Sequence, residues 1–280
     1  FLVSGGGDNH QTVVHTLRAN NTGALSPLFA WHGFQYVKVV ADTASSFAGG
    51  LQELVALEIH PNLTETGQLA FGGDGVPGSA SEDAAAVLSG VQTMLLRSQL
   101  ANLAAYIPTS CPTTEKQGWL GDALFAAEAS MYNFDLEAIY TSWLTSIEDN
   151  QGSQGDVPYL APGGATPRSP ASCNDIAWTS AYPRVTSFVG AYYGATRAAA
   201  RHWPSLTRYV DNLVDHHAGP PPSGAQGGAG VATCDQFLDW VTAGACDTGM
   251  CSTMFSPACE SARCPVGEEV AGSSYVLGLR

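Results

Sequence analysis

The chain has 280 residues, of which 45% are hydrophobic and only 13% charged, and it carries a formal net charge of −14. That length supports one large domain, or one small and one medium domain, with a real core. With only two lysines, Lys38 and Lys116, the acidic balance argues against nucleic acid and anionic membrane surfaces as partners, since both require basic patches.

No run of about 18 apolar residues occurs, so no membrane insertion is expected. The opening, FLVSGGGDN, shows no signal peptide and reads as the middle of something already under way. Residues 1–75 read as β. Apolar residues alternate at Phe34, Tyr36 and Val39, with Gly33 as a bulge, and again at Val55, Leu57 and Ile59. These predict antiparallel sheet, the C-terminal part of a β-sandwich. Asn20-Asn21-Thr22 and Asn62-Leu63-Thr64 are glycosylation sequons, which makes Asn20 and Asn62 candidate acceptors.

The glycine-rich run 72–78 is a linker, and residues 76–280 read as helical. Ser79 and Glu82 form a capping box. Val87, Leu88, Val91, Met94, Leu95 and Leu103 then recur at helical spacing up to Pro108. Residues 123–148 read as one long or two short helices. A Gly/Pro-rich loop, 151–170, follows. Residues 181–200 are helical with a break near Gly194, and Trp203-Pro204 is read as the start of the next helix. Residues 219–230 form a low-complexity loop. Helix–loop–helix units succeed one another, as in a barrel of paired helices.

Seven cysteines occur, five of them in the last fifty residues. Their spacing lacks a paired C-x-x-C, which argues against zinc. A disulfide-clamped insertion near 234–264 fits better, with Cys111 as the odd thiol. Cysteines and sequons together predict a secreted or cell-surface protein.

The densest chemistry lies in Ser110–Asp122, SCPTTEKQGWLGD. Pro112 and Gly118 place it on a turn between helices. Glu115 and Asp122 bracket Trp119. Sugar-handling sites combine these groups: an indole stacks on a pyranose face, while carboxyls bind hydroxyls or exchange a proton with the glycosidic oxygen. Glu115 is either a general acid or an exposed loop glutamate. Asp122 is either its partner or the cap of a helix starting at Ala123. Trp119, Trp178 and Trp240 lie near acids or glycine on successive loops, as core residues or as platforms. No G-x-S-x-G and no H-E-x-x-H occurs.

In order, these motifs resemble the α-L-rhamnosidases of glycoside hydrolase family 78. Pro108–Asp122 is similar to the family's acid motif, Trp31–Val37 to its HGFRY strand, and Gln151–Pro158 to its Q-x-x-G-x-x-P loop. Asp175–Pro183, Tyr192–Gly194, Trp203-Pro204 and Phe237–Trp240 resemble later elements. The resemblance implies part of an (α/α)6 barrel after the β-sandwich segment, and inverting hydrolysis of terminal α-L-rhamnose from glycans or glycosides without metal or other cofactor. It implies Glu115 as proton donor, with Asp122, Trp119, Asp175, Trp178, Asp239 and Trp240 around the sugar. Ser110 stands where the family has aspartate, Thr114 where it has arginine, and Leu238 where it has glycine. An inverting enzyme also needs a base roughly 6.5–9.5 Å from the acid. In this family the base comes from the far half of the barrel, so a further polypeptide segment or chain is expected to complete it. The runner-up reading is a rhamnosidase-derived structural or glycan-binding protein that has lost turnover.

Overall fold

The computed structural model describes residues 12–14, 26–27, 30–40, 52–110, 115–163, 176–219 and 231–232. It is mainly helical: α1 (Ala80–Ala101), α2 (Leu120–Asn133), α3 (Glu137–Asp149), a single turn α4 (Ile176–Thr179), α5 (Ala181–Tyr193) and α6 (Thr196–Asn212). A π-helical turn, Leu213–His217, extends α6. The two-residue strands β1 (Ala218–Gly219) and β2 (Val231–Ala232) then pair antiparallel.

The capping box at α1 forms in half. Ser79 Oγ accepts the Glu82 N–H at 3.1 Å, but the Glu82 carboxylate takes the Gly75 N–H at 3.2 Å instead of returning to the cap. Ser79 in turn donates to Asp74 at 2.7 Å, and this bond foremost holds the Asp74 carboxyl below its ordinary range. The helix stops at Ala101, seven residues before Pro108. Asn102 folds its side chain back to the Ser98 carbonyl at 2.8 Å, and its own carbonyl is taken by Thr109 N–H and Oγ–H.

Residues 123–148 resolve into two helices. The chain leaves helical geometry at Phe134 (φ −136°, ψ 151°), where Asp135 N–H bonds Thr64 O and Leu136 N–H bonds the Tyr193 hydroxyl. The break at Gly194 is real: this residue closes α5 at φ 63°, a conformation glycine adopts without strain. Trp203-Pro204 does not open a helix; Pro204 lies inside α6. Gly194 is what restarts the helix, and α6 runs through the proline with one backbone donor fewer.

The core lies among α2, α3, α5 and α6, with α5 packed against the other three. Its spacing is that of one helix face: Ala181, Tyr182, Val185, Thr186 and Val189 are all buried. Trp143 and Tyr140 of α3, Tyr209 of α6 and Phe134 fill the space it faces. Several polar atoms inside are paired, while His202 Nε2 is buried with no hydrogen-bond partner among the described residues. Trp143 Nε1 donates to Ala161 O at 3.0 Å, and Tyr182 donates to Ser205 Oγ at 2.9 Å, its hydroxyl pushed up to about 12 by burial. His202 Nδ1 meets Glu148 at 2.8 Å.

The region read as sheet differs. Among the described residues before α1, no strand forms, and the only ladder contact is an isolated bridge between Glu65 and Phe134. Tyr36, Val55, Leu57 and Ile59 stand exposed. A period-two pattern yields a strand only where a second backbone satisfies its N–H and C=O groups. No such partner lies beside these residues among those described.

Candidate active site

The segment carrying Glu115 is held on both sides by backbone pairing. Ser110 N–H donates to Gln117 O at 3.0 Å, Leu120 N–H to Tyr159 O at 2.9 Å, and Ala161 N–H to Gly118 O at 3.0 Å. The loop after α3 thus runs beside Gly118–Leu120. Gly118 is required by this approach, because a Cβ there would strike the Ala161 carbonyl. Cys111 and the rest of 111–114 lie outside the described residues.

Glu115 is exposed, and Trp119 Nε1–H donates to its Oε2 at 2.6 Å. The indole is half-buried and stacks on Tyr159 with centroids 5.8 Å apart and planes at 12°. Asp122 sits in the first turn of α2, whose N-cap is Trp119 and which has no side-chain cap. The expected capping role of Asp122 therefore does not occur. Its carboxyl is set against protein on one side and water on the other. Burial raises it above its ordinary 3.8, the Ser110 hydroxyl bond opposes that, and the nearby Glu115 charge adds to the rise. Both residues are exposed to solvent, and Asp122 is the one whose carboxyl is also pressed against protein and bonded by Ser110.

Lys116, with φ 55°, turns away from these acids. Its Nζ donates to Trp31 O at 2.5 Å and lies 5.4 Å from the Trp31 ring centroid. Burial lowers its pKa. Burial, and then Lys116, also depress His32. The Trp31-His32 element and the acid motif, distant in sequence, are therefore neighbours.

Trp178 is 7% exposed and packs against Gly121, where a Cβ would enter its ring. It borders the motif from inside the core, with little ring surface open to a sugar. Asn62 is exposed and lines a groove of about 850 Å³ with Thr141, Ser142, Thr145 and Arg201, which contains none of the acid motif. Asp175, Asp239, Trp240, Asn20 and the cysteine-rich insertion lie outside the described residues. Among the described residues, no cluster of three metal-ligating side chains occurs, and no helix is long and apolar enough to cross a membrane. Sequence reasoning missed Tyr159 as a neighbour of the acid motif. Ser110 was read from its place in the motif, whereas Tyr159 lies inside the Gly/Pro-rich loop, one position after Pro158, where no local pattern points to the acids.

Residues 84–253, more than half of the chain, match the family described as the bacterial alpha-L-rhamnosidase 6 hairpin glycosidase domain. An alpha-L-rhamnosidase of Formosa agariphila is 25% identical over 215 residues, 72% of this chain and 20% of that protein. A second from the same organism is 28% identical over 137 residues, 49% of this chain and 13% of its own length. Among solved structures, the alpha-L-rhamnosidase of Dictyoglumus thermophilum aligns at TM-score 0.53 and 23% identity, covering 69% of this chain and 19% of that one. The Streptomyces avermitilis alpha-L-rhamnosidase complexed with L-rhamnose aligns at TM-score 0.54 and 19% identity, covering 79% and 17%. The chain thus spans a fifth or less of the length of these relatives.

Proposed function

Because the chain belongs to the bacterial α-L-rhamnosidase six-hairpin glycosidase family, we propose that it is part of a secreted or cell-surface glycoside hydrolase that removes terminal α-L-rhamnose from glycans or glycosides with inversion. The observation that carries this reading is the Trp119–Glu115 hydrogen bond beside Asp122. An indole N–H on Oε2 orients the carboxyl and leaves Oε1 to carry the proton to the leaving oxygen. Asp122, with Ser110, binds sugar hydroxyls, and Trp119 offers the apolar surface beside them. Asp175, Asp239 and Trp240 are proposed to complete the sugar site.

The helices belong to an (α/α)6 barrel, preceded by the end of a β-sandwich in 1–75, and further polypeptide completes the barrel and supplies the base. Two features support that completion. α1 carries Val87, Leu88, Val91, Met94 and Leu95 in the open, an apolar stripe larger than isolated surface residues produce. The relatives are also at least five times longer than the aligned part.

The test is release of the chromophore from an aryl α-L-rhamnoside by the full-length protein. Glu115→Gln is expected to lower kcat by about 10²–10⁴-fold, and NMR of the first product is expected to show the β anomer. Ser110, in place of the family's aspartate, favours a second reading, a rhamnose-binding descendant without turnover. L-rhamnose binding with no release would select it.

A further inference from the structure

The loop from Gln151 to Ala161 is anchored at both ends. At its start, Gln151 Nε2 donates to Gly155 O at 3.0 Å and Ser205 O at 2.9 Å. Its Oε1 accepts from Ser205 Oγ and from Arg208 Nη2, each at 2.8 Å. The amide uses both donor hydrogens and both acceptor sites, the full capacity of a glutamine side chain. Asn212 adds a bond to Gln154 O at 3.0 Å. At the far end, the buried Trp143 indole holds Ala161 O. Such a loop is fixed to α3 and α6 and has little freedom of its own.

Tyr159 lies between these anchors. Its carbonyl receives Leu120 N–H, and its ring is nearly parallel to that of Trp119. The far side of this arrangement is Glu115, an exposed side chain whose described partner is the Trp119 N–H. An exposed glutamate samples several rotamers unless something selects one. The selection here passes from the anchored loop to the Tyr159 ring, to the indole plane and to the carboxyl.

We propose that Tyr159 is a positioning residue for Glu115, acting through the Trp119 indole. This rests on the hydrolase reading for its kinetic consequence, but not for its structural one. The step from the loop to the indole passes through the face of the ring. Tyr159→Phe therefore keeps the stack, whereas Tyr159→Leu removes it.

The experiment uses the full-length protein with Tyr159→Leu and Tyr159→Phe. Tyr159→Leu is expected to lower kcat on an aryl α-L-rhamnoside by about 10–100-fold with KM little changed and to move the acid-dependent limb of the pH profile. Tyr159→Phe should restore most of kcat and the original profile. A loss of folded protein alone would lower activity in both variants without moving the profile, and would overturn the proposal. A second readout does not need turnover. The ¹H–¹⁵N resonance of the Trp119 indole, assigned by its loss in Trp119→Phe, should shift in Glu115→Gln and in Tyr159→Leu and stay in place in Tyr159→Phe. A Tyr159→Leu protein with an unmoved resonance would overturn the positioning role. If the wild-type protein releases no sugar, the hydrolase reading fails and the resonance alone decides.

Discussion

α1 and α3 are both regular helices with apolar residues at helical spacing, yet they end differently. On α3, Trp143 is 0% exposed and Ile139, Tyr140, Leu144 and Ile147 are buried with it. On α1, only Ala85 is buried, and Met94 is 64% exposed. α1 leans on α2 through Gln92 and Gln99, which bond Asn133, while its apolar stripe points elsewhere. The contrast separates two requirements. A capped helix closes its own backbone bonds, so it forms from local sequence. Burial needs a neighbour, and for the apolar stripe of α1 none is present among the described residues.

Three substitutions bear on that contrast, the largest expected effect first. Trp143→Ala empties a fully buried site and leaves the Ala161 carbonyl without its donor. We expect a loss of about 3–5 kcal/mol in denaturant unfolding; a loss below about 1 kcal/mol would mean that α3 is not the packed helix. Val91→Ser with Met94→Ser tests the other side. In the 280-residue chain alone the pair should stay within about 0.5 kcal/mol of the parent, and in a protein that also carries the proposed barrel-completing segment it should cost about 2–4 kcal/mol. Equal small effects in both would leave α1 open in the whole protein and remove the support for barrel completion.

The smallest effect belongs to Asp122, at the edge of the packed half. Its native pKa is raised above 3.8, so the native state holds the proton more tightly than the unfolded chain. Its contribution to stability therefore declines as pH rises from about 4 through the native pKa. Asp122→Asn removes that decline. The variant should match the parent near pH 3 and exceed it at pH 7, by less than about 1 kcal/mol because water screens one side of the carboxyl. A variant less stable than the parent at pH 7 would contradict burial as the dominant cause.

Local grammar made much of the helical part legible. Ser79 at the cap, Gly194 at the break and the apolar spacing of 139–147 each act within a few residues. The reading failed where two local signals competed. Trp203-Pro204 looked like a helix start, but Gly194 had already restarted the helix. The alternation in 52–60 has the period of a strand, but a strand is a property of two segments, and no second segment pairs with it among the described residues. At the candidate site, Glu115, Trp119 and Asp122 were found together because one short motif contains all three.

What the sequence by itself determined is the helical grammar, the family and the motif that brings two carboxyls to one indole. All of these are encoded in neighbouring residues or in their order along the chain. Only the tertiary structure decided that Trp178 packs into the core, that Lys116 turns to Trp31 and that Tyr159 stacks on Trp119. The stack depends on a loop anchored to α6 through Gln151 and to α3 through Trp143, and on Gly118 letting that loop approach. Contacts of this kind join positions tens of residues apart, and no spacing or period within either segment records the other.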